Sequence, residues 1–128
     1  VTDYIGLPFL AKGRTRAGLD CWGLVRLVMQ ERFGVALPVW AEGYDDIEPN
    51  PRTAGHLRAC AGAFVRHDPA AARPGDILLF RIGGHLAHVG LDIGAGRMLH
   101  IHDGINACIE RWRGPRWLPR LEGAYRHG

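Results

Sequence analysis

Gly18-Leu19-Asp20-Cys21-Trp22-Gly23-Leu24-Val25-Arg26-Leu27-Val28 reads as a loop that turns into an amphipathic helix, with a cysteine in its first turn. Leu24, Leu27 and Val28 fall at the three- and four-residue spacing that lines apolar side chains along one helical face, and Asp20 is a competent N-cap just ahead of them. The helix is expected to run to Arg32 or Phe33, where Gly34 supplies a C-terminal stop. Cys21 then sits where backbone N–H groups have no partner inside the helix. Those donors and the positive end of the helix dipole favour a thiolate, which lowers a cysteine pKa and makes a nucleophile at neutral pH. A cysteine buried as inert core filler is the competing reading of the same residue.

Length and composition bound what such a helix can belong to. With 128 residues, 47% of them hydrophobic and 23% charged, the chain is expected to form one soluble globular domain over 1–128 that needs no staple to hold its core. Gly 18 and Pro 8 point to many turns and short strands rather than a helical bundle. Three cysteines cannot all pair and none forms a CxxC, so a disulfide framework or zinc ribbon is not expected and a reducing compartment is. The opening Val1-Thr2-Asp3-Tyr4-Ile5-Gly6 has neither a basic region nor a sustained apolar run, so no signal peptide or membrane-spanning segment is expected. A formal charge of +3 and a sequence pI of about 9.1 favour anionic partners. The glycine-punctuated loop Ala11–Gly18 carries Arg14 and Arg16 straight to the helix start, as an anion site or as a solvated loop.

Beyond the helix, Val35–Arg52 is an irregular excursion rich in Pro and aromatic residues, followed by a second helix expected around Ala54–Phe64 with Cys60 as filler. Arg73-Pro74-Gly75-Asp76 is a turn into Ile77-Leu78-Leu79-Phe80, which has the length and apolarity of a buried strand. Ala107–Trp112 reads as a further strand. The tail from Arg113 mixes arginines with Trp117 and Tyr125, a pattern that can bind single-stranded nucleic acid. No nucleic-acid module accompanies it, so a closing strand with aromatic packing is expected and a nucleic-acid partner is not.

The second chemically loaded stretch is His88–His102, which reads as a β-hairpin. Val89, Leu91 and Ile93 alternate with His88, Gly90 and Asp92, and beyond the turn Leu99 and Ile101 alternate with Met98, His100 and His102. With the turn centred on Gly94, His88 and His100 stand directly opposite each other on one face, Cβ atoms about 5 Å apart. A thiol, an imidazole to shuttle its proton and a polar group to fix the imidazole's tautomer are the parts of a cysteine protease site, and Cys21, His88 and His100 supply them. The same residue types are zinc ligands. A helix-start cysteine suits a nucleophile and no fourth ligand is evident, so neither a metal nor another cofactor is expected.

These motifs, taken in order, resemble the NlpC/P60 family of papain-like cysteine peptidases. Gly6-Leu7-Pro8-Phe9 is similar to the family's GxPY opening, Asp20-Cys21-Trp22-Gly23-Leu24-Val25 to its DCSGLV helix start, and Arg73-Pro74-Gly75-Asp76-Ile77 to its PGD strand lead-in. His88-Val89-Gly90-Leu91 resembles its HVGIY strand, and Met98-Leu99-His100 the strand carrying its third residue. The resemblance implies an α+β fold in which an N-terminal catalytic helix packs on a central antiparallel sheet. It also implies Cys21 as nucleophile, His88 as general base and acid, His100 as orienting residue, and hydrolysis of an amide bond in a bacterial cell-wall stem peptide. Asp20 would lie by the substrate's free amino group, with Trp22 and Phe9 at the cleft. Two positions depart from the family pattern: Phe9 stands where a tyrosine is usual, and Trp22 where a serine is.

The Trp22 variant, the basic loop and the Gly114-Pro115-Arg116-Trp117 ending resemble the phage-encoded branch of the family, found in tails of phages and gene-transfer particles. That likeness implies a protein made in the bacterial cytoplasm and delivered to the cell wall by the particle, with other tail proteins as partners. A structural tail-tip subunit that keeps the peptidase fold with little activity is the alternative, and Phe9 and Trp22 keep it open.

Overall fold

A computed structural model of the chain describes residues 2–37 and 64–127. Most of the expected excursion, the body of the expected second helix and Cys60 lie outside the described residues. Strands β1 (Arg14–Thr15) and β2 (Gly18–Leu19) pair antiparallel and lead into helix α1 (Cys21–Phe33). Strands β3 (Val65–His67), β4 (Ile77–Ile82), β5 (His85–Gly94), β6 (Arg97–His102), β7 (Ile105–Arg111) and β8 (Leu121–Arg126) form a six-stranded sheet in the order β3-β8-β4-β5-β6-β7. Every pairing in it is antiparallel. A helix laid on an antiparallel sheet makes the fold α+β, as expected.

Helix α1 has the expected ends. Asp20 is extended and its carboxylate accepts the Gly23 N–H at 2.8 Å, while Gly34 at φ 67° turns left-handed and returns its N–H to the Met29 carbonyl. A side chain at position 23 would collide with the Gly13 carbonyl, so the basic loop is pressed against the first helical turn.

Strand alternation divides the core between the two faces of the sheet. Leu24, Val25, Val28 and Met29 of α1 pack with Ile77, Leu79, Val89, Leu91, Leu99 and Ile101 on one face. Leu78, Phe80, Met98, Trp112, Trp117 and Ala124 fill the other. Covering both faces explains the uninterrupted apolar run at Ile77–Phe80. The tail behaves as expected: it supplies closing strand β8, and Trp112 and Trp117 pack rather than project.

The hairpin is correct in its strands and shifted in its turn. Ala95 (φ 58°) and Gly96 (φ 72°) both adopt positive φ, and the register Leu91↔Leu99 and Asp92↔Met98 centres the hairpin on Ala95 rather than Gly94, with an irregularity between Asp92 and Gly94. His88 is therefore not directly opposite His100. Gly90 takes that place, where an added Cβ would lie 3.5 Å from the His100 Cβ.

Candidate active site

His88 and His100 share the sheet face away from α1 and meet diagonally across Gly90. Their rings are hydrogen-bonded, His88 Nε2 to His100 Nδ1 at 3.0 Å, and His100 Nε2 lies 2.9 Å from Glu110 Oε1 on β7. The other Glu110 oxygen accepts from Trp117 Nε1 at 2.8 Å and from Arg116 at 3.1 Å. Trp117 stacks on His88 with ring centroids 5.2 Å apart, closing one side of the pair.

Glu110 decides where the protons are. Burial pushes its carboxyl up, but the bonds from Trp117 and His100 and the Arg116 charge outweigh that and hold it below the usual range, so it is ionised and only accepts. His100 is lowered by burial despite its bond to Glu110, and His88 well below the ordinary imidazole value by burial and by His100, His102 and Arg116. Both rings are neutral at pH 7. A neutral His100 that donates from Nε2 to Glu110 accepts at Nδ1, so His88 donates from Nε2 and keeps a bare lone pair at Nδ1. The relay delivers His88 Nδ1 as its basic atom.

Cys21 heads α1 as expected, but not as the activated thiolate that its helix position suggested. It is 1% exposed, and its thiol is pushed well above the ordinary range by burial first and by the neighbouring Asp20 carboxylate second. The N–H groups of Val89 and Trp22 favour the thiolate without overcoming the desolvation. The Val89 N–H belongs to the peptide that joins it to His88, so the sulfur lies beside the His88 backbone. Among the described residues no hydrogen bond joins Cys21 to the imidazole. The structure thus assembles His88 with His100 and sets Cys21 one backbone step away.

The residues expected at the cleft are turned inward. Asp20, expected beside a substrate amine, is fully buried, capping α1, accepting the Lys12 N–H at 3.2 Å and ion-paired to Arg14 at 2.7 Å. Trp22 is 2% exposed and belongs to the core between helix and sheet. Phe9 is half-buried against the same core and bridges to Leu19. A cavity of about 280 Å³ opens instead on the far side of the histidines, walled by His88, His102, Asp103, Arg116, Trp117 and Arg120. Sequence reasoning missed Glu110 and Trp117 as parts of the site. The only signal for Glu110 was its alternation with Cys108 on a strand paired to the histidine strand.

The NlpC/P60 family model matches residues 6–126. The chain is 28% identical over 124 residues to the murein DD-endopeptidase MepS/murein LD-carboxypeptidase of Escherichia coli K12, covering 97% of this chain and 57% of that protein. It is 36% identical over 100 residues to the gamma-D-glutamyl-L-lysine dipeptidyl-peptidase of Bacillus subtilis, covering 76% of this chain and 28% of that one. The chain thus spans little more than half of the first relative and less than a third of the second. The crystal structure of an NlpC/P60 family protein from Bacillus cereus superposes with a TM-score of 0.73 at 22% identity, over 98% of this chain and 37% of that one, a likeness of fold.

Proposed function

Because the chain belongs to the NlpC/P60 family, we propose that it is a cysteine peptidase that hydrolyses an amide bond in the stem peptides of bacterial peptidoglycan. The observation that carries this reading is the Glu110–His100–His88 relay, whose free lone pair belongs to the residue next to Val89, the strand residue whose N–H faces the Cys21 sulfur. His88 Nδ1 takes the thiol proton, and the sulfur attacks the scissile carbonyl. First-turn N–H groups of α1, that of Cys21 foremost, hold the oxyanion, and His88 returns the proton to the leaving amine. Water then repeats the sequence on the thioester and releases the acid.

A raised thiol and lowered imidazoles make the resting pair neutral, so the proton moves only as substrate closes on the sulfur and the Cys21–His88 bond forms. The murein and gamma-D-glutamyl activities in the relatives' names support a stem-peptide substrate. The proposal extends to a particle: the chain is made in the bacterial cytoplasm and works on the tail of a phage or gene-transfer particle beside other tail proteins. Support for that part is the likeness of Trp22 and Gly114-Pro115-Arg116-Trp117 to the phage-encoded branch.

A second reading, a structural tail subunit with the peptidase fold and little activity, is favoured by one observation: Cys21 is buried and not bonded to His88. Hydrolysis of purified muropeptides separates the two. The peptidase reading expects product from the wild type and none from Cys21→Ala. Absence of product from the wild type, with particle infectivity unchanged in Cys21→Ala and lost on deletion of the chain, selects the structural reading.

A further inference from the structure

We propose that His100, Cys108 and Glu110 form a binding site for a soft divalent cation of the zinc class, and that its occupation removes the basic lone pair from His88. The sheet builds the cluster: His100 and Cys108 are direct cross-strand partners, and Glu110, two residues further along β7, shares their face. One ligand atom from each lies within 4.8 Å of the others. Zinc with Zn–S of about 2.3 Å and Zn–N or Zn–O of about 2.0–2.1 Å holds its ligand atoms roughly 3.3–3.6 Å apart, a convergence that small side-chain rotations supply. A thiolate and a carboxylate together neutralise a dication.

The hydrogen bonds that orient such ligands are already made. Trp117 and Arg116 hold Glu110 Oε2 and leave Oε1 to the ion, and His88 holds the far nitrogen of His100. Cys108 is half-buried and has no part in the proposed hydrolysis.

The switch follows from proton positions. An ion on His100 Nε2 displaces the proton that Glu110 held there, and a neutral His100 must then carry its proton on Nδ1. That nitrogen becomes a donor, so His88 Nε2 becomes the acceptor and the His88 proton moves to Nδ1, the atom that serves Cys21. Both imidazoles remain neutral, and the one proton released to solvent is that of the Cys108 thiol.

Cobalt(II) is the probe for binding, added to the full chain and followed by thiolate-to-cobalt charge-transfer absorption. The expected band is present in the wild type, in Cys21→Ala and in Cys60→Ala, and absent from Cys108→Ser and Cys108→Ala. A band that survives Cys108→Ser, or that disappears with Cys21→Ala, overturns the site. The inhibitory part rests on the peptidase reading: zinc is expected to stop muropeptide hydrolysis, a chelator to restore it, and Cys108→Ser to keep basal activity while needing at least about tenfold more zinc. Equal sensitivity of wild type and Cys108→Ser overturns the switch. If no variant hydrolyses anything yet the band depends on Cys108, the cation site stands and the peptidase reading falls.

Discussion

Glu110→Gln tests the relay without emptying it. A glutamine has one acceptor oxygen and one donor amide, while Glu110 accepts on both sides, from His100 at 2.9 Å and from Trp117 and Arg116 at 2.8 and 3.1 Å. With the oxygen toward His100, the amide faces two donors and both of those bonds are lost. With the amide toward His100, the Trp117 and Arg116 bonds survive and His100 accommodates by moving its proton to Nδ1. The second orientation is favoured by two hydrogen bonds of about 1 kcal/mol net each. About 2 kcal/mol leaves roughly one molecule in 30 with the wild-type tautomers, since a factor of ten is about 1.4 kcal/mol. Muropeptide hydrolysis is therefore expected to fall about 30-fold in kcat, with the urea midpoint little changed. The ring-nitrogen shifts of His100 in an NMR spectrum report the tautomer directly and independently of activity. An Nε2-protonated His100 in Glu110→Gln, or a kcat within threefold of wild type, would refute the reasoning.

Other perturbations probe other parts. Iodoacetamide should alkylate Cys21 more slowly than a free thiol at pH 7, its rate still climbing above pH 8.5 because burial and Asp20 raise the thiol; a plateau below the free-thiol value of about 8.5 contradicts this. Asp20→Ala removes the cap and the carboxylate partner of the largely buried Arg14, and should cost about 3 kcal/mol or more in urea unfolding, whereas a loss under 1 kcal/mol would make the pair superficial. Gly23→Ala, which would raise helix propensity in isolation, should lower the unfolding midpoint because its Cβ meets the Gly13 carbonyl; a raised midpoint refutes the contact. His88 and His100 have lowered folded-state values, so the unfolded chain binds more protons below about pH 6.5. Their stabilisation is present above that value and drains away as pH falls, with a slope of up to about 2.7 kcal/mol per pH unit for two protons. A double His88→Asn/His100→Asn variant should flatten the profile between pH 7 and 5, and an unchanged slope would show that other groups set it.

What was legible in the sequence was what local chemistry fixes. Asp20 and Gly34 mark the ends of α1 because a cap bonds within its own turn, and the faces of β5 and β6 follow from period-two alternation. The turn centre was not legible, because Gly94 looks like the natural corner while Ala95, a residue with a Cβ, takes a positive φ beside Gly96. The error moved the centre by one residue, which changes the sum of paired residue numbers by two and leaves every side chain on its expected face. His88 and His100 therefore meet even though they are not opposite, bonding diagonally at 3.0 Å, while the missing side chain at Gly90 leaves room for the Met98 sulfur and the His100 Cβ. The state of Cys21 failed for a different reason. A helix start contributes a local stabilisation of about 1 kcal/mol to a thiolate, whereas burial is a sum over everything packed around it and acts in the opposite direction. The same distinction explains Glu110: an acidic residue on a strand has no local signature of function, and it becomes the proton-setting member of the site only because β7 pairs with β6 and Trp117 folds back onto it. A nucleophile assigned from its helix position and a relay assigned from strand pairing are thus independent claims, and an intact tautomer relay with an unreactive Cys21 would be the signature of a chain that kept the second and lost the first.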